Sequence, residues 1–274
     1  MEYKGYKVVT LSNTEIADFY THKTNLFDLV ENEYLVIQNS NEEIIDKFCY
    51  QHNEFKPVRF KTIKSAISGE IKPRNLEQEL AFNMLQDEKT KIKVLTGPYG
   101  SGKTMSMIAQ AIELLNKGVF QKIVYVRNNI NVKDTMELGS LPGDVVDKIY
   151  PYLMPMADQL GSQIILDDYI EKGKIEPVHL GFLRGRDLRH SLIYCTEAQN
   201  LSVDHMKLLI GRVGEGSELW CDGDFSAQVD RSTFERSNGL CTIVERLSGN
   251  EYFGYVRLKK SERSKVAALA DLLD

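Results

Sequence analysis

Residues 97–104 read Gly-Pro-Tyr-Gly-Ser-Gly-Lys-Thr, the pattern G-x-x-x-x-G-K-T. These residue types at this spacing can grip the terminal phosphates of a nucleotide. Gly97, Gly100 and Gly102 let the backbone curl until successive N–H groups point inward at phosphate oxygens, with Pro98, Tyr99 and Ser101 completing the loop. Lys103 brings a mobile positive charge to the β- and γ-phosphates, and Thr104 offers a hydroxyl that Mg²⁺ can take as a ligand. The competing reading is a Gly/Ser-rich turn that happens to end in Lys-Thr, and the flanking sequence argues against it.

Two further runs deliver acids. Leu192-Ile193-Tyr194-Cys195-Thr196-Glu197 is an apolar strand ending in a carboxylate, the shape of a Walker B segment. Glu197 is placed to orient and deprotonate an attacking water. Ser217 to Cys221 is a second such strand, delivering Asp222-Gly223-Asp224, with Gln228 just beyond.

The elements that must position these residues are legible as periodicities. Ile92 to Thr96 is a short apolar run suited to a buried strand, and Met105, Ile108, Ala109, Ile112 and Leu115 repeat at helical spacing before Gly118, a C-cap residue. Strand, glycine loop and helix in that order aim a helix N-terminus at an anion. Residues 121–126 and 255–258 read as further strands. A polar loop over 128–141 leads into a helix from Leu141-Pro142-Gly143-Asp144 to Ile149. Pro151 and Pro155 are expected to break regular structure beyond that helix, 167–172 is helical in tendency, and 175–178 is extended. Ser202 caps a helix carrying Val203, Met206, Leu209, Ile210 and Val213, closed by Gly214, and Ser261 to Ser264 opens a last apolar helix. This alternation implies an α/β fold, a mostly parallel sheet with helices on both faces and phosphate at the C-terminal ends of the strands.

Residues 1–70 differ. Short strands at 6–11, 33–38 and 57–60 alternate with single helical turns expected at 15–20 and 43–48, a small α+β subdomain in which nothing looks catalytic. Its aromatics, Tyr20, Phe27, Phe48, Tyr50, Phe55 and Phe60, read as core rather than as a base-stacking platform, since no basic residues are regularly interleaved with them. Residues 71–274 form the main domain. Pro73 stops regular structure before Asn75, which N-caps a helix to about Gln86. Gln78 lies three residues after that cap, so spacing alone reads it as a capping-box residue, against a sharper reading as a glutamine that recognises adenine.

The net charge of −5 means that nucleic acid binding needs a local basic surface. Leu183 to His190 is the densest basic stretch. It reads equally as a phosphate contact or as a solvated loop whose arginines pair with carboxylates. No apolar run approaches membrane-spanning length, and Met1 to Gly5 shows no secretory leader. The four cysteines contain no C-x-x-C pair; Cys195 and Cys221 end apolar runs and read as buried, and reduced thiols of a cytosolic protein are expected; the five scattered histidines argue against a metal cage.

Residues 71–78, 97–104, 141–144, 183–186, Glu197-Ala198-Gln199-Asn200, Gly223-Asp224, 235–240 and Glu262-Arg263-Ser264 occur in this order. Together they resemble the PhoH-like ATPases, whose RecA-like core is related to superfamily-one helicases, from about residue 70 to the end. Asn32 to Leu35 also resembles the segment that precedes this core in members carrying a PIN nuclease domain. No separate domain with a leading constellation of carboxylates is read here, and no ribonuclease site of that type is expected. The resemblance implies ATP binding and hydrolysis with Mg²⁺, hexameric rings, and action on RNA or single-stranded nucleic acid in a helicase-like manner. It turns Gln78 into an adenine contact, makes Arg263 or Arg236 a candidate arginine finger, and makes Asp224 and Gln228 candidate γ-phosphate sensors.

Two departures stand out. The family runs Asp-Glu-Ala-Gln-Asn where this chain has Thr196-Glu197-Ala198-Gln199-Asn200, and the family's usual threonine before Gly-Asp is Asp222 here. Asp222 is therefore expected to restore the carboxylate behind Mg²⁺. The competing reading is a nucleotide-gated ring or binding module with little hydrolysis. The family glutamine three residues after the aspartate is Ala227 here, with Gln228 one further on. A small-molecule kinase is disfavoured, since no arginine-rich lid is evident apart from residues 184–189.

Overall fold

The computed structural model describes residues 3–66, 69–127, 149–225 and 238–262. In chain order the elements are β1 (Tyr6–Thr10), α1 (Asn13–His22), β2 (Tyr34–Gln38), β3 (Ile44–Gln51), β4 (Glu54–Pro57), β5 (Ile63–Ser65), β6 (Gly69–Ile71) and α2 (Leu76–Gln86). Then come β7 (Ile92–Thr96), α3 (Lys103–Asn116), β8 (Lys122–Arg127), α4 (Met154–Leu160), α5 (Gln163–Glu171) and β9 (Ile175–His179). The rest are β10 (Ser191–Cys195), α6 (Val203–Ile210), β11 (Glu218–Gly223), α7 (Gly239–Leu247) and β12 (Phe253–Arg257).

The last six strands form one sheet in the order β12-β7-β11-β10-β8-β9, every neighbouring pair parallel. Both faces are covered, so the strands are largely apolar, with a buried Lys93–Glu218 pair at 2.9 Å between β7 and β11, and their side chains alternate between two cores. Leu95, Tyr125, Tyr194 and Trp220 face the core shared with α2, α3, α4 and α5. Val94, Val124, Ile193, Cys195 and Cys221 face the core shared with α6 and α7. This is the α/β architecture of a RecA-like P-loop NTPase. β11 lies between β7 and β10 and places Asp222 beside both of them. No described helix is long and apolar enough to cross a membrane.

β1 to β4 form a second, four-stranded sheet, with β1 parallel to β2 and the other pairs antiparallel. One face carries Leu35, Ile37, Phe48 and Phe55 against Phe19 of α1. The other carries Tyr34, Val36 and Cys49 into the core that holds Leu80, Ala81 and Met84 of α2. Phe48 and Phe55 are core, while Tyr20 is largely exposed and donates to Asp46.

Several local expectations change. Residues 43–48 are not a helical turn but the start of β3. Residues there pair with β2, and Phe48 with β4 as well, which outweighs a weak helical pattern. The strand expected at 57–60 ends at Pro57, because β3 and β4 join through His52 and Asn53, both left-handed at φ 55° and 61°, the backbone of a tight hairpin turn. The β5–β6 hairpin left no clear sequence signal. Pro151 and Pro155 sit in the first turns of a 3₁₀ helix and of α4, where a missing N–H costs little, so helix continues through them. Gly211, rather than Gly214, caps α6. The polar loop and helix expected over 128–148 and the closing helix lie outside the described residues, except that Ile149 is buried in the core.

Asn32 bolts the small sheet to the large one. It is buried and left-handed at φ 63°, a conformation asparagine tolerates better than most residues. Its Nδ2 lies 3.0–3.1 Å from the carbonyls of Asn250, Glu251 and Phe253 at the mouth of β12, and its Oδ1 accepts from Gln51 at 2.8 Å. Asn32→Ala strips these acceptors and Gln51 of their partner, and is expected to lower unfolding stability by about 2–3 kcal/mol, read by chemical denaturation.

Candidate functional site

β7 ends at Thr96 and the chain turns through the glycine loop into α3. A Cβ on Gly97 would lie 2.7 Å from the Leu258 carbonyl oxygen and 2.8 Å from Leu258 Cβ, so the segment leaving β12 requires glycine there. Gly100 and Gly102 take φ of +69° and +87°, which turn the backbone into the helix. Gly102 is the N-cap of α3 and no side chain caps it, which leaves the first-turn N–H groups to the loop's concave side. Ser101 Oγ is buried without a hydrogen-bond partner among the described residues. Lys103 is largely buried, with Nζ 3.2 Å from the Pro98 carbonyl oxygen and 5.7 Å from the centre of the exposed Tyr99 ring.

Two outside elements brace this loop. Gln78, in the first turn of α2, donates through Nε2 to the Ser101 carbonyl at 2.9 Å and accepts at Oε1 from the Arg74 N–H at 2.8 Å. Asn75 caps α2 by accepting from the Gln78 N–H at 3.0 Å, so Asn75 is the cap while the Gln78 side chain serves the loop. On the other side the Glu262 N–H donates to the Gly100 carbonyl at 2.8 Å, and the Glu262 carboxylate accepts from Asn75 at 2.9 Å.

Asp222 stands at the centre. One step beyond the last paired residues of β10 and β11, Cys195 and Cys221, Thr196 and Asp222 come opposite each other. The Asp222 carboxylate is 1% exposed and accepts three hydrogen bonds. Thr104 Oγ1 donates to Oδ2 at 2.6 Å, Tyr194 Oη donates to the same oxygen at 2.7 Å, and the Glu197 N–H donates to Oδ1 at 3.1 Å. A hydroxyl that gives its proton to a carboxylate keeps its lone pairs for a cation. Burial, with the Asp222 charge adding to it, raises the Tyr194 hydroxyl well above its ordinary pKa, so it remains a donor.

Glu197 follows β10 in a left-handed conformation, φ 53° and ψ 42°, held by that N–H bond. Burial raises its pKa and the neighbouring Asp222 charge raises it further; the Gln199 hydrogen bond and the Arg127 and Lys103 charges pull the other way. A carboxylate so placed is a better proton acceptor than an exposed one. Gln199, fully buried, donates to Glu197 Oε2 at 2.6 Å and accepts from the Asp224 N–H at 3.2 Å, tying the ends of β10 and β11 together. Arg127, at the end of β8, packs 4.0 Å from the Tyr152 ring centre.

The donor set suits a nucleotide with Mg²⁺. It holds a glycine cradle at a helix N-terminus, a buried hydroxyl without a partner among the described residues, one largely buried lysine, and one hydroxyl backed by a buried carboxylate. With this geometry in view, the PhoH-like protein family profile matches residues 70–272. The chain belongs to the PhoH-like family. Protein PhoH2 of Bacillus subtilis is 35% identical over 213 residues, 74% of this chain and 48% of that protein. Protein PhoH2 of Mycolicibacterium smegmatis is 32% identical over 202 residues, 73% of this chain and 46% of its own length. A PhoH-like protein of Bacillus subtilis is 32% identical over 181 residues, 65% of this chain and 56% of that one. The matches span about half the length of these relatives.

The structure brings Gln78, the 97–104 loop, Glu197, Asp222 and Asp224 to one end of the sheet. Gln228, Arg236 and Arg263 lie outside the described residues. In the basic stretch, Arg186 pairs with Glu176 through both terminal nitrogens, at 2.7 and 3.1 Å, and Arg189 pairs with Asp187 at 2.7 Å. Tyr194, Gln199 and Arg127 escaped the sequence reading. Tyr194 looked like one more apolar strand residue, and only its hydroxyl, in an otherwise apolar run, signalled a buried polar partner. Gln199→Leu keeps the volume but leaves the buried Asp224 N–H without its acceptor; it is expected to cost about 1–3 kcal/mol, read as a lowered denaturation midpoint at unchanged slope.

Proposed function

We propose that this chain is a Mg²⁺-dependent ATPase whose Walker B carboxylate has moved one strand sideways, from the position of Thr196 to Asp222. The observation that carries the reading is the 2.6 Å hydrogen bond from Thr104 Oγ1 to Asp222 Oδ2. In the strand order, β11 is the immediate neighbour of β7, so a carboxylate on β11 reaches the loop threonine without crossing another strand. The catalytic unit is residues 71–274, with 1–70 as an appended subdomain.

Main-chain N–H groups of Gly100, Gly102 and the first turn of α3 bind the phosphates, and Lys103 places its charge on the β- and γ-phosphates. Gln78, hydrogen-bonded to the loop at the Ser101 carbonyl, contacts adenine. Thr104 would hold Mg²⁺ through its hydroxyl, with Asp222 behind that hydroxyl. Mg²⁺ would supply positive charge against the charge that develops on the leaving group. Glu197 orients the attacking water and takes its proton, Asp224 and Gln228 respond to the γ-phosphate, and Arg236 or Arg263 reaches a neighbour's site in a hexameric ring. Action on RNA or single-stranded nucleic acid in a cytosolic setting follows from the family resemblance; the pairing of Arg186 and Arg189 with carboxylates lends it no support.

The exchange at Thr196 favours a second reading, a ring that assembles around ATP with little turnover. Steady-state phosphate release with and without RNA separates the two, since RNA-stimulated turnover marks the motor and tight binding without turnover marks the module. On the first reading Lys103→Ala removes ATP binding by calorimetry. Asp222→Ala lowers turnover by about a hundredfold or more, the rate equivalent of a few kcal/mol of lost transition-state stabilisation. An Asp222→Ala protein that hydrolyses ATP as fast as the parent would falsify the sideways shift.

A further inference from the structure

A carboxylate moved to a buried strand must find new donors, and the structure shows where they come from. Asp222 lies among apolar strands, and no ion pair reaches its carboxylate among the described residues. Its charge rests on two hydroxyls and one main-chain N–H. An isolated carboxylate in such a place costs several kcal/mol, while charge-assisted O–H···O⁻ bonds are about twice as strong as neutral ones. Tyr194 pairs with Trp220 across β10 and β11, so Tyr194 and Asp222 are diagonal neighbours on the same face of the sheet. The tyrosine is held in place independently of Asp222. It is fully buried in the core beneath α3, and its ring meets Tyr125 nearly edge-on with centroids 5.8 Å apart.

We propose that Tyr194 is the positioning residue that makes the displaced Asp222 carboxylate usable behind a divalent cation. The inference rests on the reading of this site as a Mg²⁺-nucleotide site. Tyr194 and Thr104 both donate to Oδ2, so the tyrosine fixes the rotation of the carboxylate that presents this oxygen to Thr104. With Oδ2 pinned, Oδ1 stays on the Glu197 N–H. One hydroxyl thereby sets both the side chain behind the cation and the backbone of the candidate base. The Tyr194 hydroxyl also hydrogen-bonds the Thr196 side chain, two residues on along the same strand, so it reaches both members of the exchanged pair.

The test titrates Mg²⁺ into the full chain with a non-hydrolysable ATP analogue and reads nucleotide affinity by calorimetry. Mn²⁺ binding, read by electron paramagnetic resonance, gives a readout independent of turnover. Tyr194→Phe is expected to raise the half-saturating Mg²⁺ concentration about tenfold, the loss of one charge-assisted hydrogen bond, while affinity without Mg²⁺ stays within about twofold. A purely structural loss would weaken both alike. Tyr125→Phe, which removes a buried hydroxyl bonded to the Tyr152 carbonyl at 2.8 Å, serves as the control and is expected to leave the Mg²⁺ dependence alone. Thr196→Asp/Asp222→Thr restores the family arrangement and supplies a background without Asp222 in which the folding of Tyr194→Phe is compared.

If the parent binds nucleotide with Mg²⁺ and Tyr194→Phe leaves its Mg²⁺ dependence unchanged, the inference is wrong and the reading of the site stands. If the parent shows no Mg²⁺-dependent nucleotide binding, both fall. If Tyr194→Phe fails to fold alone but folds in the exchanged background, the hydroxyl is confirmed as the partner of Asp222. Failure in both backgrounds makes it a packing residue and overturns the inference.

Discussion

One buried negative charge organises this end of the molecule. Asp222 is almost wholly shielded from water, and a carboxylate there persists only if donors converge on it. Three do, from three parts of the chain: Thr104 at the start of α3, Tyr194 within β10, and the main chain of Glu197 beyond β10. Each tie also constrains its donor. The threonine hydroxyl is oriented, Glu197 is held in a left-handed turn, and the glycine loop is fixed relative to the acid-bearing strands. The charge and its donors specify each other, so a change at any one of them acts on the rest.

The parallel sheet makes the convergence available. Helices on both faces line the six strands mostly with apolar residues, and the polar residues of the site gather at the C-terminal edge. Along that edge β11 separates the loop strand β7 from β10. Exchanging Thr and Asp between positions 196 and 222 therefore moves a carboxylate by one strand spacing, about 5 Å, toward the phosphate loop rather than away from it. Gln199 then joins the two strand ends beyond the exchange, bonding Glu197 and the Asp224 N–H.

The glycine loop, the strand before it and the helix after it could be read from the sequence because local chemistry and tertiary role agree there. The same holds for β10 and β11, whose apolar runs end in acids. β3 could not be read, because its strand state depends on β2 and β4 pairing on either side. The hairpin turn at His52 and Asn53 needs two non-glycine residues at positive φ, which weakens its signature. Within the site, the motifs named Thr104 and Glu197 and the family resemblance added Gln78 and Asp222, but neither showed what binds them together. The bond from Gln78 to Ser101 joins a helix start to a loop 23 residues away, and the bond from Tyr194 to Asp222 crosses two strands 28 residues apart. Neither distance leaves a periodic trace.

The most direct test of the central claim is a structure of the full chain with Mg²⁺ and a non-hydrolysable ATP analogue, read for the position of the cation. We expect a cation ligated by Thr104 Oγ1, with the Asp222 carboxylate behind it and closer to it than Thr196. A cation held at Thr196 with Asp222 turned away, or held by phosphates alone without Thr104, would contradict that claim.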